Sequence, residues 1–469
     1  MGETFDSGCL SRIIRAELRK TQTIGAAVGV LKNNERVYSK GFGCRNLAQQ
    51  QAMTPDTLVG YASVTKSFTA LAILLLEEKV ELSIADSVSS YLPAAPFLDH
   101  PEITLKHLLS HSSGIPNMEA CEIHQSCASN ETFDVSPVVD REELLAHIGD
   151  VKAVVFPPGE RFMYNNDLYV CLGFIIEDIS GVSFSEFIEE NILKPLLMCR
   201  STMSSEGLMN DSESNVITGY KRQDGPDGHL AECELVLSRF LLPAGGLYTS
   251  ANEILNYAEC LVNGGEFRGK QVFSPEIIDR LFTPSIATYY GTGKNPQYCL
   301  GWIYEPKTDD CPALIRHGGG MDTSGSELIL IPELRSAITV ATNGYTGVTF
   351  VIADVALEVL QNRSPEDNLW SLKVADALKA VTGTYSLPHE NATMKVETVE
   401  RVLKGTISFR GRDSSQDIVL TLSFKDLDDL VFSVYSNAEH PKGFVEFFRD
   451  DVSGKISHVL WDRVVFWRN

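Results

Sequence analysis

The chain has 469 residues, of which 43% are hydrophobic and 22% are charged, and its formal net charge at pH 7 is -22. This composition is typical of a globular protein with two or three domains. The negative charge argues against nucleic acid and against anionic membrane surfaces as partners.

The first residues, MGETFDSGCL, lack the basic segment followed by an apolar segment that marks a secretory signal. We therefore expect a cytoplasmic location, with the ten cysteines present as reduced thiols. The apolar run at 71–76 is too short to span a bilayer. Cys121, His124 and Cys127 lie close together, and unpaired loop cysteines are favoured there over a disulfide or a metal site. No metal or cofactor is expected.

The N-terminal part alternates between helix and strand patterns. Helical spacing of apolar residues predicts a helix over 9–20, and a buried strand follows at 25–31. A turn then leads to a returning strand at 36–43. From Ser63 to about Lys79 the residues are apolar nearly all round, which predicts a central, buried helix.

Helical and looped patterns dominate residues 85–240, where 117–140 is polar and reads as an insertion. Strands resume at 325–332 and 335–343, and a closing helix is expected at 354–361. The order predicts one α/β sandwich over residues 1–370, with sheet parts at about 1–60 and 240–362 and a helical part at about 63–240. A site would lie between the sheet and the helical block.

The pattern changes after residue 363. A short helix at 374–380 is followed by short β segments separated by turns, at the spacing of hairpins. We therefore predict a second domain at 373–469, an antiparallel β-barrel or small sandwich, with the boundary near residue 372.

The most informative motif is the sequence SVTK, which places Ser63 and Lys66 three residues apart at the predicted start of a helix. This spacing puts the hydroxyl and the amine on one helical face, within reach of each other. A weak hydroxyl nucleophile needs such a nitrogen base. The alternative is a helix cap and an unrelated surface lysine.

Two downstream segments supply the other groups that acyl transfer requires. Tyr164 is a candidate general base, and Asn166, two residues later, can orient Lys66 or hold a substrate carbonyl. The sequence HGGG at 317–320 combines His317 with glycines that let backbone N–H groups approach a substrate closely. The N–H groups of Ser63 and Gly320 are the candidate oxyanion hole.

These three motifs, in this order, resemble those of the serine β-lactamase/DD-peptidase superfamily, and specifically its class C-like branch of esterases, D-aminopeptidases and transesterases. The branch has an S-x-x-K, a Y-x-N and a K-T-G or H-x-G element. Its surrounding sequence is similar in kind at 103–115, 243–250 and 300–302, and the likeness covers residues 8–362. The β-rich tail resembles the lipocalin-like domain that some members carry.

The resemblance implies a β-lactamase/transpeptidase-like sandwich followed by a β-barrel, and roles for single residues. Ser63 would be the acylated nucleophile, Lys66 would take or relay its proton, and Tyr164 would serve as base. Asn166, His317, Gly319 and Gly320 would bind the substrate or form the oxyanion hole.

At position 317 this chain has a histidine where penicillin-binding proteins have a lysine. A neutral imidazole supplies no fixed positive charge for a substrate carboxylate. We therefore expect an ester, amide or lactone as substrate, small or peptide-like, rather than a penicillin. Acyl transfer through the same acyl-enzyme is one alternative. A non-catalytic protein that binds a ligand in its barrel is another.

Overall fold

The computed structural model describes residues 5–120, 140–149, 154–222, 230–235, 237–238, 240–387, 392–399, 402–409, 417–426, 430–435, 444–450, 452–461 and 464–469. Cys121, His124 and Cys127 lie outside these residues, as does most of the predicted insertion. The described part of the chain divides into two compact units, with the division between Asn362 and Arg363. Each unit is described by itself below.

The first unit is built on a nine-stranded sheet in which every neighbouring pair is antiparallel, in the order β10-β11-β12-β13-β14-β15-β1-β2-β3. Short pairs β4–β7, β5–β6 and β8–β9 complete its strands. The strands of this unit are β1 Gly25–Lys32, β2 Glu35–Asn46, β3 Gln51–Ala52, β4 Val59–Gly60, β5 Gly219–Arg222, β6 Leu230–Cys233, β7 Tyr248–Thr249, β8 Glu266–Phe267, β9 Lys270–Gln271, β10 Ile286–Ala287, β11 Gln297–Tyr298, β12 Ile303–Glu305, β13 Leu314–Met321, β14 Ser324–Ile331 and β15 Ser336–Thr342.

Helices of the first unit precede the sheet, interrupt it and close it. They are α1 Ser7–Lys20, α2 Thr65–Glu78, α3 Leu105–Leu109, α4 Arg141–Gly149, α5 Asn166–Ser180, α6 Phe184–Ile188, α7 Ser205–Met209, α8 Leu242–Gly245, α9 Ala251–Val262, α10 Pro275–Phe282 and α11 Val348–Leu360. Short 3₁₀ turns lie at Ala62–Val64, Val88–Ser90 and Pro332–Leu334, and a π turn at Glu189–Leu193.

This arrangement confirms the predicted fold class, an antiparallel sheet flanked by helices with a helical insertion. The strand pairing β15–β1 joins the last strand of the unit to its first, so the N-terminal hairpin completes a sheet whose other half comes 250 residues later. All residues of β14 and β15 are buried, which requires cover on both faces. Residues 240–282, expected as part of the sheet, contain helices α8 to α10 and the short strands β7, β8 and β9, none of which belongs to the nine-stranded sheet. Helix α9 packs on β1 and β15.

Helix α2 is the centre of the helical half. It is buried from Thr65 to Leu74, because its sequence is apolar or small on every side, as the sequence predicted. Neighbouring helices α5, α8 and α10 pack around it. A helix surrounded in this way cannot shift easily, so groups at its N-terminus have fixed positions.

The second unit contains helices α12 Pro365–Asn368 and α13 Trp370–Val381 and a closed eight-stranded antiparallel barrel. Its strands are β16 Gly383–Ser386, β17 Ala392–Val399, β18 Val402–Phe409, β19 Ile418–Asp426, β20 Val431–Tyr435, β21 Phe444–Arg449, β22 Ile456–Trp461 and β23 Val464–Arg468. Alternate residues such as Met394, Ile407, Phe432 and Phe447 are buried and pack together inside. The described inward-facing side chains thus fill the barrel, as is usual for eight strands.

Within the described ranges, no single helix has the length and apolar character to cross a bilayer. Helix α5 and the segment Phe184–Leu193 together have that length and character, but they are bent by 77° relative to each other. Among the described residues, no group of three His, Cys, Asp or Glu side chains is placed to hold a metal ion.

Candidate active site

Ser63 lies in the 3₁₀ turn Ala62–Val64 that leads directly into α2. Its neighbours Ala62 and Val64 are buried, whereas Ser63 is partly exposed. Ala62 has a φ of 45°, in the left-handed region that costs energy for a residue with a side chain. The turn therefore presents the serine hydroxyl outward from an otherwise buried segment.

Hydrogen bonds hold this turn from two sides. The Tyr61 amide donates to the Leu247 carbonyl at 2.8 Å, and the Leu247 amide donates to Thr65 Oγ1 at 3.0 Å. From the sheet, Ser326 Oγ donates to the Tyr61 carbonyl at 2.7 Å. The position of Ser63 is thus set jointly by strand β14 and by the segment that follows α8.

Lys66 is fully buried beneath Ser63, one turn into the helix. Its Nζ donates to Ser63 Oγ at 3.2 Å and to the Ala244 carbonyl at 2.6 Å. The same atom lies 4.8 Å from the ring centre of Tyr164 and 5.4 Å from that of Tyr169. Such ring faces and a carbonyl stabilise an ammonium group inside a protein.

Tyr164 lies just before helix α5 and is half-buried beside Lys66. The side chain of Asn165 caps this helix by accepting from the Leu168 amide at 3.0 Å. Asn166, the first residue of α5, is half-buried. The helix cap therefore fixes the short segment that carries the tyrosine and the asparagine.

His111 is a residue of this site that the sequence reasoning missed. It is buried, and its ring centre lies 4.2 Å from that of Tyr164. Its Nδ1 accepts the Asn165 amide at 3.1 Å, so the neutral ring carries its proton on Nε2. Burial, followed by the charge of Lys66, holds the pKa of His111 well below its ordinary value.

His317 lies within strand β13 and is 4% exposed. Its Nδ1 lies 2.7 Å from the carbonyl oxygen of Gly318, which can only accept, so Nδ1 carries the proton. Nε2 then accepts from the hydroxyl of Tyr298 at 3.0 Å. Burial, and secondarily the charge of Lys66, lowers the pKa of His317 to about 3. At neutral pH this imidazole is uncharged, and both its nitrogens bind protein atoms.

The glycines after His317 bring β13 against the nucleophile turn. A Cβ atom on Gly319 would lie 2.2 Å from the Tyr61 carbonyl oxygen and 2.4 Å from Ser326 Oγ. One on Gly320 would meet the ring of Tyr345 at 2.8 Å. Close approach of the strand therefore requires glycine at these positions.

These groups surround one cleft of about 440 Å³. Of the residues selected from the sequence, Ser63, Tyr164, His317, Gly319 and Gly320 line it, and Lys66 lies beneath its floor. Asn166 is not among the described lining residues. The remaining described lining consists of Tyr290, Gly291, Ile303, Gly318, Met321, Asp322, Tyr345 and Phe350.

Comparison with known proteins decides the family. The sequence profile of the Beta-lactamase family matches residues 10–362, which is most of the chain. This chain belongs to the Beta-lactamase family. The match ends where the first compact unit ends, at Asn362. Family and fold together support a serine acyl-enzyme hydrolase or transpeptidase in general.

A single relative shows how far the sequence similarity extends along this Beta-lactamase family protein. Protein flp of Staphylococcus aureus strain N315 is 28% identical over 340 residues, which are 71% of this chain and 62% of that protein. The chain thus matches less than two thirds of the length of this relative.

Solved structures of this fold include two that are similar to this chain. The octameric penicillin-binding protein homologue from Pyrococcus abyssi aligns over 98% of this chain and 99% of its own, with a TM-score of 0.84 and 29% identity. A class C beta lactamase from Rhodobacter sphaeroides, 18% identical, shares the fold over 75% of this chain and 98% of its own, with a TM-score of 0.61.

Proposed function

We propose that this protein is a serine hydrolase that forms an acyl-enzyme at Ser63 from an ester, amide or lactone. The observation that carries the proposal is the 3.2 Å contact between Lys66 Nζ and Ser63 Oγ at the floor of a cleft. A hydroxyl held by a buried amine and open to a cleft is the arrangement of an activated nucleophile. The cleft volume suits a small molecule or the end of a short peptide.

The roles follow from the positions. Ser63 Oγ attacks the acyl carbon and gives its proton to Tyr164, the base, while the ammonium of Lys66 donates to Ser63 Oγ. Tyr164 then gives that proton to the leaving group. Backbone N–H groups of Ser63 and Gly320 stabilise the oxyanion, as the close approach of β13 to the turn favours. Water then releases the acid from Ser63, with Tyr164 again as base.

Esterase, amidase or D-aminopeptidase-like chemistry is favoured over penicillin hydrolysis by the state of His317. A substrate carboxylate is normally bound by a fixed cation, and the neutral ring of His317 supplies none. Both its nitrogens are engaged by Gly318 and Tyr298. His317 therefore positions strand β13 rather than binding a charged substrate.

Labelling with a fluorophosphonate, followed by peptide mapping, tests the proposal. We expect one adduct, on Ser63, which Ser63→Ala abolishes and Tyr164→Phe slows. Ser67→Ala is the matched control, because Ser67 lies one turn further on α2 but is buried with its hydroxyl donating to the Val64 carbonyl. A folded protein without an adduct on Ser63 would refute the mechanism.

A further inference from the structure

Aromatic rings form a substantial part of the described cleft walls. Tyr164, Tyr290, Tyr345 and Phe350 are among the described lining residues, together with the apolar side chains of Ile303 and Met321. Such walls bind apolar or aromatic groups and provide few hydrogen bonds.

Two of these rings stand at the open part of the cleft. Tyr290 is 37% exposed, and its ring centre lies 5.5 Å from that of Tyr164, edge to face. Tyr345 is 52% exposed and lies against Gly320. Neither ring is buried in the hydrophobic core, so each has solvent-exposed surface that can contact a bound group.

The described lining also lacks a free cation. Asp322 is its one carboxylate, and Lys221 pairs with it at 2.8 Å at the rim. Lys66 is buried below, with Nζ donating to Ser63 and Ala244. Among the described lining residues, a substrate carboxylate would thus meet no partner of opposite charge, at a considerable cost.

We propose that the acyl donor of this site carries an aromatic ring and no carboxylate in its acyl part, with Tyr290 and Tyr345 as the residues that determine the preference for the ring. The inference rests on the proposed acyl-enzyme at Ser63. In the reaction, Ser63 Oγ bonds to the acyl carbon and the ester C–O bond breaks. The hydroxyl proton leaves with the alcohol, and water later releases the aromatic acid.

The test compares four methyl esters with the same small leaving group, measured by acid release. They are methyl phenylacetate, methyl hexanoate, the monomethyl ester of 1,4-phenylenediacetic acid and methyl 4-(aminomethyl)phenylacetate. We expect the highest kcat/KM for the uncharged aromatic ester, by roughly 10-fold over the aliphatic one, which is the scale of aromatic contacts. The carboxylate ester should be poorer, whereas the ammonium ester should not carry that penalty.

Variants assign the preference to the two rings. Tyr290→Ala and Tyr345→Ala should each reduce the aromatic preference roughly 5-fold, mainly through KM. Phenylalanine at either position should preserve the aromatic preference, because the ring and not the hydroxyl contacts the aromatic group of the substrate. Tyr289→Ala is the matched control for the loop: Tyr289 is 72% exposed and is not among the described lining residues, but its ring centre lies 4.9 Å from that of Tyr290. Its effect on the aromatic preference should therefore be clearly smaller than that of Tyr290→Ala.

The outcomes separate the two proposals. If fluorophosphonate labels Ser63 but the aromatic preference is missing, or is equally reduced in Tyr289→Ala, only the inference about specificity is overturned. The same holds if the carboxylate ester is the best donor and Lys221→Ala removes that preference. If Ser63 is not labelled at all, the proposed function fails and the specificity inference fails with it.

Discussion

Replacing Gly319 by alanine should disable the site while leaving the fold intact. The new Cβ would lie 2.2 Å from the Tyr61 carbonyl oxygen, a main-chain atom two residues before Ser63. Ordinary contacts begin near 3.4 Å, so strand β13 and the nucleophile turn must separate by about 1 Å. A displacement of this size between a nucleophile and its oxyanion donors costs on the order of 100-fold in kcat.

The damage should be local. We expect strand β13 to keep its pairing with β14, although the added methyl group also crowds Ser326 Oγ and weakens its hydrogen bond to the Tyr61 carbonyl. Overpacking of this kind destabilises a protein by about 1–3 kcal/mol. The Gly319→Ala protein should therefore fold, melt at a somewhat lower temperature and lose activity mainly through kcat.

Steady-state kinetics on an uncharged ester, with thermal unfolding in parallel, measures both effects. Gly325→Ala is the matched control, since Gly325 lies on β14 and a Cβ there meets only side chains, the nearest being Thr342 Oγ1 at 3.1 Å. Its kcat should stay within a few-fold of wild type. A Gly319→Ala enzyme with wild-type kcat, or an equal loss in Gly325→Ala, would refute the reasoning.

Three further predictions concern the rings around Lys66. Tyr164→Phe should lower kcat by about 10²–10⁴-fold with little change in KM, as expected for loss of a general base; a wild-type kcat would exclude that role. His111→Phe keeps an aromatic ring but leaves the Asn165 amide without its acceptor, so urea unfolding should show a loss of about 1–3 kcal/mol, and wild-type stability would contradict this. The pKa of His317 is about 3 in the folded protein and near 6.5 in the unfolded chain, so between these pH values the residue is neutral only when folded. The unfolded chain thus binds more protons in that window, and stability should fall as pH drops through it, by about 2 kcal/mol at pH 5 from this residue alone. The pH dependence of urea unfolding should be shallower in His317→Gln, and equal slopes would count against a buried neutral imidazole.

The catalytic motifs were predictable because each is local in the chain. Ser63 and Lys66 are three residues apart, so helical geometry alone brings them within reach. The three other stretches quoted for the resemblance also converge on Lys66. Residues 103–115 supply His111, and residues 243–250 supply the Ala244 carbonyl. A Cβ atom on Gly301 would lie 2.7 Å from the Lys66 carbonyl oxygen, so glycine is required there.

The contacts that could not be predicted involve main-chain atoms or residues on different strands. The Ala244 carbonyl accepts from Lys66, but any residue has a carbonyl, so the side chain at 244 carries no signal for this contact. Tyr298 lies on β11 and binds His317 on β13, with β12 between the two strands, and its sequence context is that of an ordinary strand. Helix α11 begins at Val348, earlier than expected, because Gly347 provides its N-cap with a φ of 71°.

His317 shows how the two levels of reasoning combine. The sequence identified the missing lysine at this position as a departure, and the structure shows how the neutral residue is held. A cation at 317 would be buried beside the ammonium of Lys66, and the two charges would repel in a medium of low dielectric. A neutral ring held between Tyr298 and Gly318 avoids this conflict and still fixes strand β13 next to Ser63. Restoring lysine alone would therefore leave a buried charge facing a tyrosine hydroxyl. A carboxylate-binding site would require changing Tyr298 as well.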